Sequence, residues 1–202
     1  MSELDFSKDY ILENDLVRLS PLKMEHVESL LDISAETNLW TYFLEKGNGL
    51  ENLTNYISST VHNRKHKKEY PFIVFDKIKN RYAGTTRFYE YSKELKNIKL
   101  GHTWYGKSFR GTGLNKHTKY LLFEFAFEKL KVERVGFGAH AENKVSIAAM
   151  KGIGCKEEDV LRNFMPSLNN TGRANIILLS VLKEEWDNTI QFKLKNKLTN
   201  TD

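Results

Sequence analysis

The segment Arg110-Gly111-Thr112-Gly113-Leu114-Asn115 carries the residue types best suited to chemistry in this chain. Two glycines one residue apart let backbone N–H groups approach an anion with no Cβ in the way. The apolar run that follows reads as a helix, whose unpaired N–H groups and positive dipole end favour the same ligand. A pyrophosphate suits such a turn. A dinucleotide fingerprint would need a third glycine where this chain has Lys116, and a P-loop would need G-K-[ST] after Gly113, where Leu114 and Asn115 stand. A plain tight turn is the other reading of a G-x-G pair. Asn143, ahead of a short apolar run, is a good helix N-cap, with Ser146 in the first turn. His26, His62, His66 and His117 sit in helical or basic contexts without H-E-x-x-H spacing, and Cys155 is the single cysteine, so no metal site is expected.

These residues need a scaffold. Leu16 to Leu22 alternates as a strand, and apolar positions at Val27, Leu30, Leu31 and Ile33 mark a helix over Met24 to Ile33. A second helix is expected from Leu50 to about Lys67, with Leu53, Tyr56, Ile57 and Val61 on one face. YPFIVFD and RYAGTTRFYEY, joined by KIKN, read as a hairpin. From Leu95 to Tyr105 the chain alternates, with Ile98, Leu100, His102 and Trp104 on one face and Lys99, Gly101 and Thr103 on the other. Gly101 inside that strand suggests a bulge. Leu114 to Leu130 is apolar almost all round and must be a buried helix. ERVGFGAH is a strand with glycines at 136 and 138 on one face, Asn143 to Lys151 is a short helix, and ANIILLSVLKEEW is a final strand running into an amphipathic tail. The order gives an α+β fold, a mixed and mostly antiparallel sheet with about four flanking helices, in one domain over 1–202 with its core at about 16–186.

GHTWYGKSFRGTGLNKHTKYLLFEFAFEKL, ERV, ENKVSIAAMKGIG, VLR and LLSVLKEEW follow one another in an order and spacing that resemble the RimJ/RimL-like branch of the GNAT superfamily of N-acetyltransferases. The resemblance implies acetyl-CoA as cofactor, a primary amine as acceptor (a small molecule or a protein N-terminus), and a central strand pair that splays apart to admit the pantetheine arm. It implies contacts to that arm from Thr103, Trp104 and Tyr105, and a pyrophosphate on the backbone of Arg110, Gly111, Thr112, Gly113, Leu114 and Asn115, with the Arg110 guanidinium close by. Asn143 and Ser146 match a pair beside the thioester, where Ser146 would protonate the leaving thiolate. Ile147 and Met150 would flank the cofactor or simply pack in the core.

Several positions depart from the family pattern. Ser108 stands where Gln or Arg often begins the loop, Lys99 stands where some relatives carry a glutamate base, NFMPSL holds no carboxylate, and Ala174-Asn175 replaces x-D after Gly172-Arg173. The proton acceptor is therefore open among His102, His140, Tyr105 and a water held by backbone carbonyls. His102 ranks slightly first because an imidazole of pKa near 6.5 accepts a proton at neutral pH. Without a strong base the acceptor's own ionisation matters. At pH 7 an α-amine of pKa about 8 is roughly 10% neutral, against about 0.04% for a lysine of pKa about 10.4, which favours an α-amine.

The composition fits this reading. The chain has 202 residues, 40% of them hydrophobic, with a net charge of +5, which excludes a disordered or low-complexity polymer and favours anionic ligands only mildly. The polar start is no signal peptide and no apolar run approaches the roughly 20 residues of a membrane span, so a cytoplasmic protein is expected, a monomer or homodimer with no membrane partner. A non-catalytic acyl-CoA-binding or sensing module is the alternative. A nucleic-acid partner for the basic clusters at 64–68 and 193–197 ranks last, because no recognition motif accompanies them.

Overall fold

In the computed structural model, which describes residues 3–168 and 171–199, the alternating segments form one eight-stranded sheet. The strands are β1 (Leu12–Glu13), β2 (Val17–Pro21), β3 (Glu69–Asp76), β4 (Arg81–Ser92), β5 (Asn97–Tyr105), β6 (Arg134–His140), β7 (Lys156–Pro166) and β8 (Arg173–Leu182). Their spatial order is β1-β2-β3-β4-β5-β6-β8-β7, and every pairing is antiparallel except β5 with β6. The β3–β4 turn closes because Asp76 Oδ1 accepts the N–H groups of Ile78 and Lys79, both at 2.9 Å, and Asn80 takes a left-handed φ of 51°.

Helices cover both faces. Helices α1 (Val27–Ser34) and α2 (Leu50–Lys65) bury Leu30, Leu53 and Ile57 with Trp40, Ile73 and Trp104 on one side. Helix α3 (Leu114–Glu124) and helix α4 (Lys144–Gly152) pack with Phe72, Val74, Leu100, Phe137 and Leu179 on the other. Phe72 and Val74 flank Ile73 on β3 yet join the opposite cluster, as the two-residue period of a strand requires. The expected Leu114–Leu130 helix is α-helical to Glu124 and continues as a π-helical turn over Phe125–Lys129. The last described residues form helical turns spanning Lys183–Glu185, Trp186–Ile190 and Gln191–Thr199, where buried Trp186 packs on Phe127 and Phe123. No helix among the described residues is long and apolar enough to cross a membrane.

Two features of β5 shape the candidate site. Its parallel register with β6 runs only from Asn97↔Arg134 to Lys99↔Gly136, and beyond that point the two strands separate. The bulge lies one residue beyond the expected glycine. Gly101 pairs with Arg87 and Trp104 with Thr85, so His102 and Thr103 together oppose Thr86, and His102 takes the positive φ of 49°. The extra residue corrects the expected alternation: Ile98 and Leu100 belong to the α3 side, whereas Trp104 crosses to the α1–α2 side. Gly101 is instead pressed by the Tyr89 ring, whose Cε1 would lie 3.2 Å from an added Cβ.

Candidate active site

The glycine loop lies at the C-terminal end of β5, where the split opens. Gly111 and Gly113 hold φ of 75° and 84°, conformations that carry strain for residues with a Cβ. Gly113 is the N-cap of α3, and a Cβ at Gly111 would meet nothing within 4 Å, so the loop is open on that side. The N–H groups of Leu114 and Asn115 precede the first backbone bonds of α3, which run from Lys116 and His117 to the Gly113 carbonyl at 2.8 and 3.3 Å. This cradle fits a pyrophosphate. The Arg110 side chain turns back, its Nε donating to the Tyr105 carbonyl at 2.8 Å and its Nη2 lying 3.4 Å from Glu36 Oε2. Thr112 Oγ1 donates to the Phe109 carbonyl, and Leu114 is buried in the core, so both face the cradle through backbone alone.

Tyr105 is buried, and its hydroxyl donates to Asn115 Oδ1 at 3.3 Å, tying the strand end to the loop. Burial raises its phenol above the ordinary value. Trp104 is buried against Trp40, with ring centroids 5.2 Å apart, and its Nε1–H has no acceptor among the described residues. Thr103, half-buried in the bulge, hydrogen-bonds Thr86 Oγ1 at 2.7 Å.

His102 sits in a polar cluster on the α2 side. Its Nδ1 lies 2.7 Å from Arg87 Nη2, while Arg87 Nη1 contacts Thr60 Oγ1 at 2.7 Å and Glu69 Oε2 at 3.0 Å. A guanidinium only donates, so Nδ1 accepts and the proton of the neutral ring is on Nε2. The imidazole still reaches solvent, but the crowded walls around it, and then the Arg87 charge, push it down to about 3. It is neutral across the physiological range.

His140, at the end of β6, is fixed in the same tautomer. The Glu142 N–H donates to its Nδ1 at 3.1 Å, leaving a buried Nε2–H with no acceptor among the described residues. The segment Trp40–Phe43 spans the split between the two histidines. Tyr42 packs on His140 at 5.3 Å and donates to the Glu142 carbonyl at 3.2 Å, while Phe43 lies 6.5 Å from the His102 ring. From sequence, Trp40, Tyr42 and Phe43 are expected as exposed aromatics that line an acceptor pocket or simply cap the core. Sequence reading missed Arg87, Glu69 and Thr60, because the alternation of a strand does not tell which way a polar residue faces.

Asn143 Oδ1 accepts the Ser146 N–H at 3.1 Å and caps α4. Ser146 is half-buried in the first turn, and Met150 and Ile147 are buried in the core. Lys99 forms an ion pair with Glu90 at 2.6 Å, consistent with a surface cation there. Among the described residues no group of three or more His, Cys, Asp or Glu could hold a metal.

Residues 17–156 match the family described as "Acetyltransferase (GNAT) domain". A Bacillus subtilis (strain 168) protein named "Putative ribosomal N-acetyltransferase YdaF" is 32% identical over 84 residues, 42% of this chain, and the match spans 45% of that relative's length. The crystal structure of a "putative acetyltransferase" from T. thermophilus superposes with a TM-score of 0.82 at 27% identity, covering 93% of this chain and 96% of its own. A GCN5-related N-acetyltransferase from Brucella melitensis gives 0.84 at 21% identity, covering 94% and 85%, a likeness that bears on the fold.

Proposed function

The chain belongs to the GNAT acetyltransferase family, and from that premise we propose that it transfers an acetyl group from acetyl-CoA to the α-amine of a protein N-terminus or to a small amine of similarly low pKa. The observation that carries this reading is the separation of β5 from β6 beyond Lys99–Gly136, with the open Gly111–Gly113 loop at the end of β5. Bound acetyl-CoA supplies the acetyl group in activated thioester form. The backbone from Arg110 to Asn115 holds the pyrophosphate, and the backbone of Thr103, Trp104 and Tyr105 lines the pantetheine arm. Asn143 orients the first turn of α4, from which the Ser146 hydroxyl gives a proton to the leaving sulfur. The Nε2–H groups of His102 and His140 act as hydrogen-bond donors towards acceptor carbonyls or the developing oxyanion.

A neutral, Nε2-protonated His102 and a Tyr105 phenol of raised pKa are poor proton acceptors at pH 7, so an acceptor that arrives uncharged is favoured. That supports an α-amine over a lysine. The Bacillus relative is named as a ribosomal N-acetyltransferase, which fits a protein amine as acceptor. The same two observations favour one other reading, an acyl-CoA-binding module without turnover. Thiol release from acetyl-CoA, followed with a panel of α-amino peptides and lysine-like amines, separates the two. The transferase reading expects α-amines to be turned over and aliphatic amines of pKa above 10 to be about 100-fold slower at pH 7. Coenzyme A binding with no thiol release on any amine would favour the module.

A further inference from the structure

Lys119, on α3, is 4% exposed and meets hydroxyls instead of carboxylates. Its Nζ lies 2.7 Å from Thr103 Oγ1 and 3.4 Å from Thr86 Oγ1. The two threonine hydroxyls are themselves 2.7 Å apart. The titratable group facing Lys119 from the neighbouring segment is Cys155, a buried free thiol, and no ion pair reaches Lys119 among the described residues. An ammonium buried without a counter-charge is strongly disfavoured. Burial accordingly pushes Lys119 down to about 7 and Cys155 up to about 12. At neutral pH the lysine is poised between amine and ammonium.

Its charge state sets the direction of the hydroxyl chain. The ammonium donates to Thr103 Oγ1, whereas the amine offers a lone pair that accepts the Thr103 hydroxyl proton. Thr103 is half of the bulge, on the stretch of β5 that has left β6. A proton-holding group is thus wired to the split by one hydroxyl, from the face opposite Arg87 and His102.

We propose that Lys119 is a positioning residue for acetyl transfer, taking up, through the Thr103 hydroxyl, the proton that the attacking amine gives up at the β5–β6 split. This rests on reading the split as the acetyl-transfer site. In the step, the amine nitrogen bonds to the acetyl carbon and the C–S bond breaks, its electron pair going to sulfur. An N–H proton passes to Thr103 Oγ1 while the Thr103 hydroxyl proton passes to Lys119 Nζ. The sulfur then recovers that proton by the reverse path or through Ser146, and Lys119 returns to its amine. The return is downhill, because a thiol of ordinary pKa near 8.5 holds a proton more tightly than Lys119 does.

The test is an NMR titration of lysine side-chain amines in the full chain, with and without saturating coenzyme A. One signal titrating near 7, absent from Lys119→Met or, should that variant not fold, from Lys119→Arg, is expected. Acetyl transfer to an α-amino peptide at saturating acetyl-CoA should fall as pH drops through that midpoint, and Thr103→Val should keep the low lysine midpoint but lose this limb of the pH profile, because the hydroxyl link is gone. A spectrum in which every lysine titrates near 10, or a pH profile that Thr103→Val leaves unchanged, overturns the proposal. Failure of coenzyme A to bind at all overturns the acetyl-transfer reading beneath it.

Discussion

His102 has the ordinary pKa of a general base and loses that role to its neighbours. Packing around the ring and the Arg87 charge hold it near 3, and Arg87 occupies Nδ1. Its ring resonances are therefore expected not to titrate between pH 5 and 8. The linkage has a definite sign. Unfolded chains bind a proton at this position below about 6.5 while the folded chain does not, so His102 costs stability as pH falls from 6.5 towards 3. A His102 midpoint near 6.5 in the folded protein would remove this explanation and restore it as a base. The glycine loop gives the second expectation at this scale. Gly111→Val places a branched side chain in the open cradle at a φ of 75° and should weaken coenzyme A binding by about 100-fold, roughly 3 kcal/mol. Unchanged affinity would mean that the pyrophosphate lies elsewhere. The loop was legible because Gly111 and Gly113 need a conformation few other residues adopt. The polar cluster of Arg87, Glu69 and Thr60 was not, because nothing in an alternating strand tells whether an arginine faces water or the core.

At the scale of elements, α4 and the β7–β8 ribbon behave differently. Asn143 caps α4 as its type and position predicted, and Asn143→Ala should cost about 1 kcal/mol of stability. Ser146→Ala should leave stability nearly unchanged and lower turnover more than acetyl-CoA affinity. Equal turnover in that variant would remove Ser146 from the chemistry. Strand β7 escaped sequence reading for a physical reason: it is exposed along nearly its whole length, so it carries no apolar period. It is held by β8 and by Arg134 of β6, which reaches across to Glu158, where Ser180 Oγ also donates at 2.7 Å. Arg134, before all other partners, holds the Glu158 carboxyl down to about 2. That contribution is present above the unfolded value of 4.5 and lost as pH falls towards 2. Both side chains of the pair are more than a third exposed, so Glu158→Gln should cost at most about 1 kcal/mol by chemical denaturation at pH 7, and less at pH 3. Sequence alone points one residue short of the bulge because glycine marks backbone freedom, whereas the positive φ falls on His102 and Gly101 is instead the place where Tyr89 packs closely.

Across the whole molecule, one sheet separates two environments. The α3 side carries the glycine cradle, Tyr105 with Asn115, and Lys119 beneath the bulge. The α1–α2 side carries the Trp40–Phe43 strap and the Arg87–His102–Glu69 cluster. The split between β5 and β6 is where the two sides communicate. Sequence order made this architecture legible, since the strand, glycine loop and buried helix follow one another, but which side of the sheet each polar residue faces came only from the register. The proposed acetyl-CoA site at the split is tested most directly by a thermal melt of the whole chain with and without acetyl-CoA at about 100 times its dissociation constant. Binding to the folded state alone should add about 2.7 kcal/mol and raise the midpoint by about 5–10 °C. A midpoint that does not move at any acetyl-CoA concentration up to the millimolar range would contradict it, leaving Gly111 and Gly113 as a structural turn.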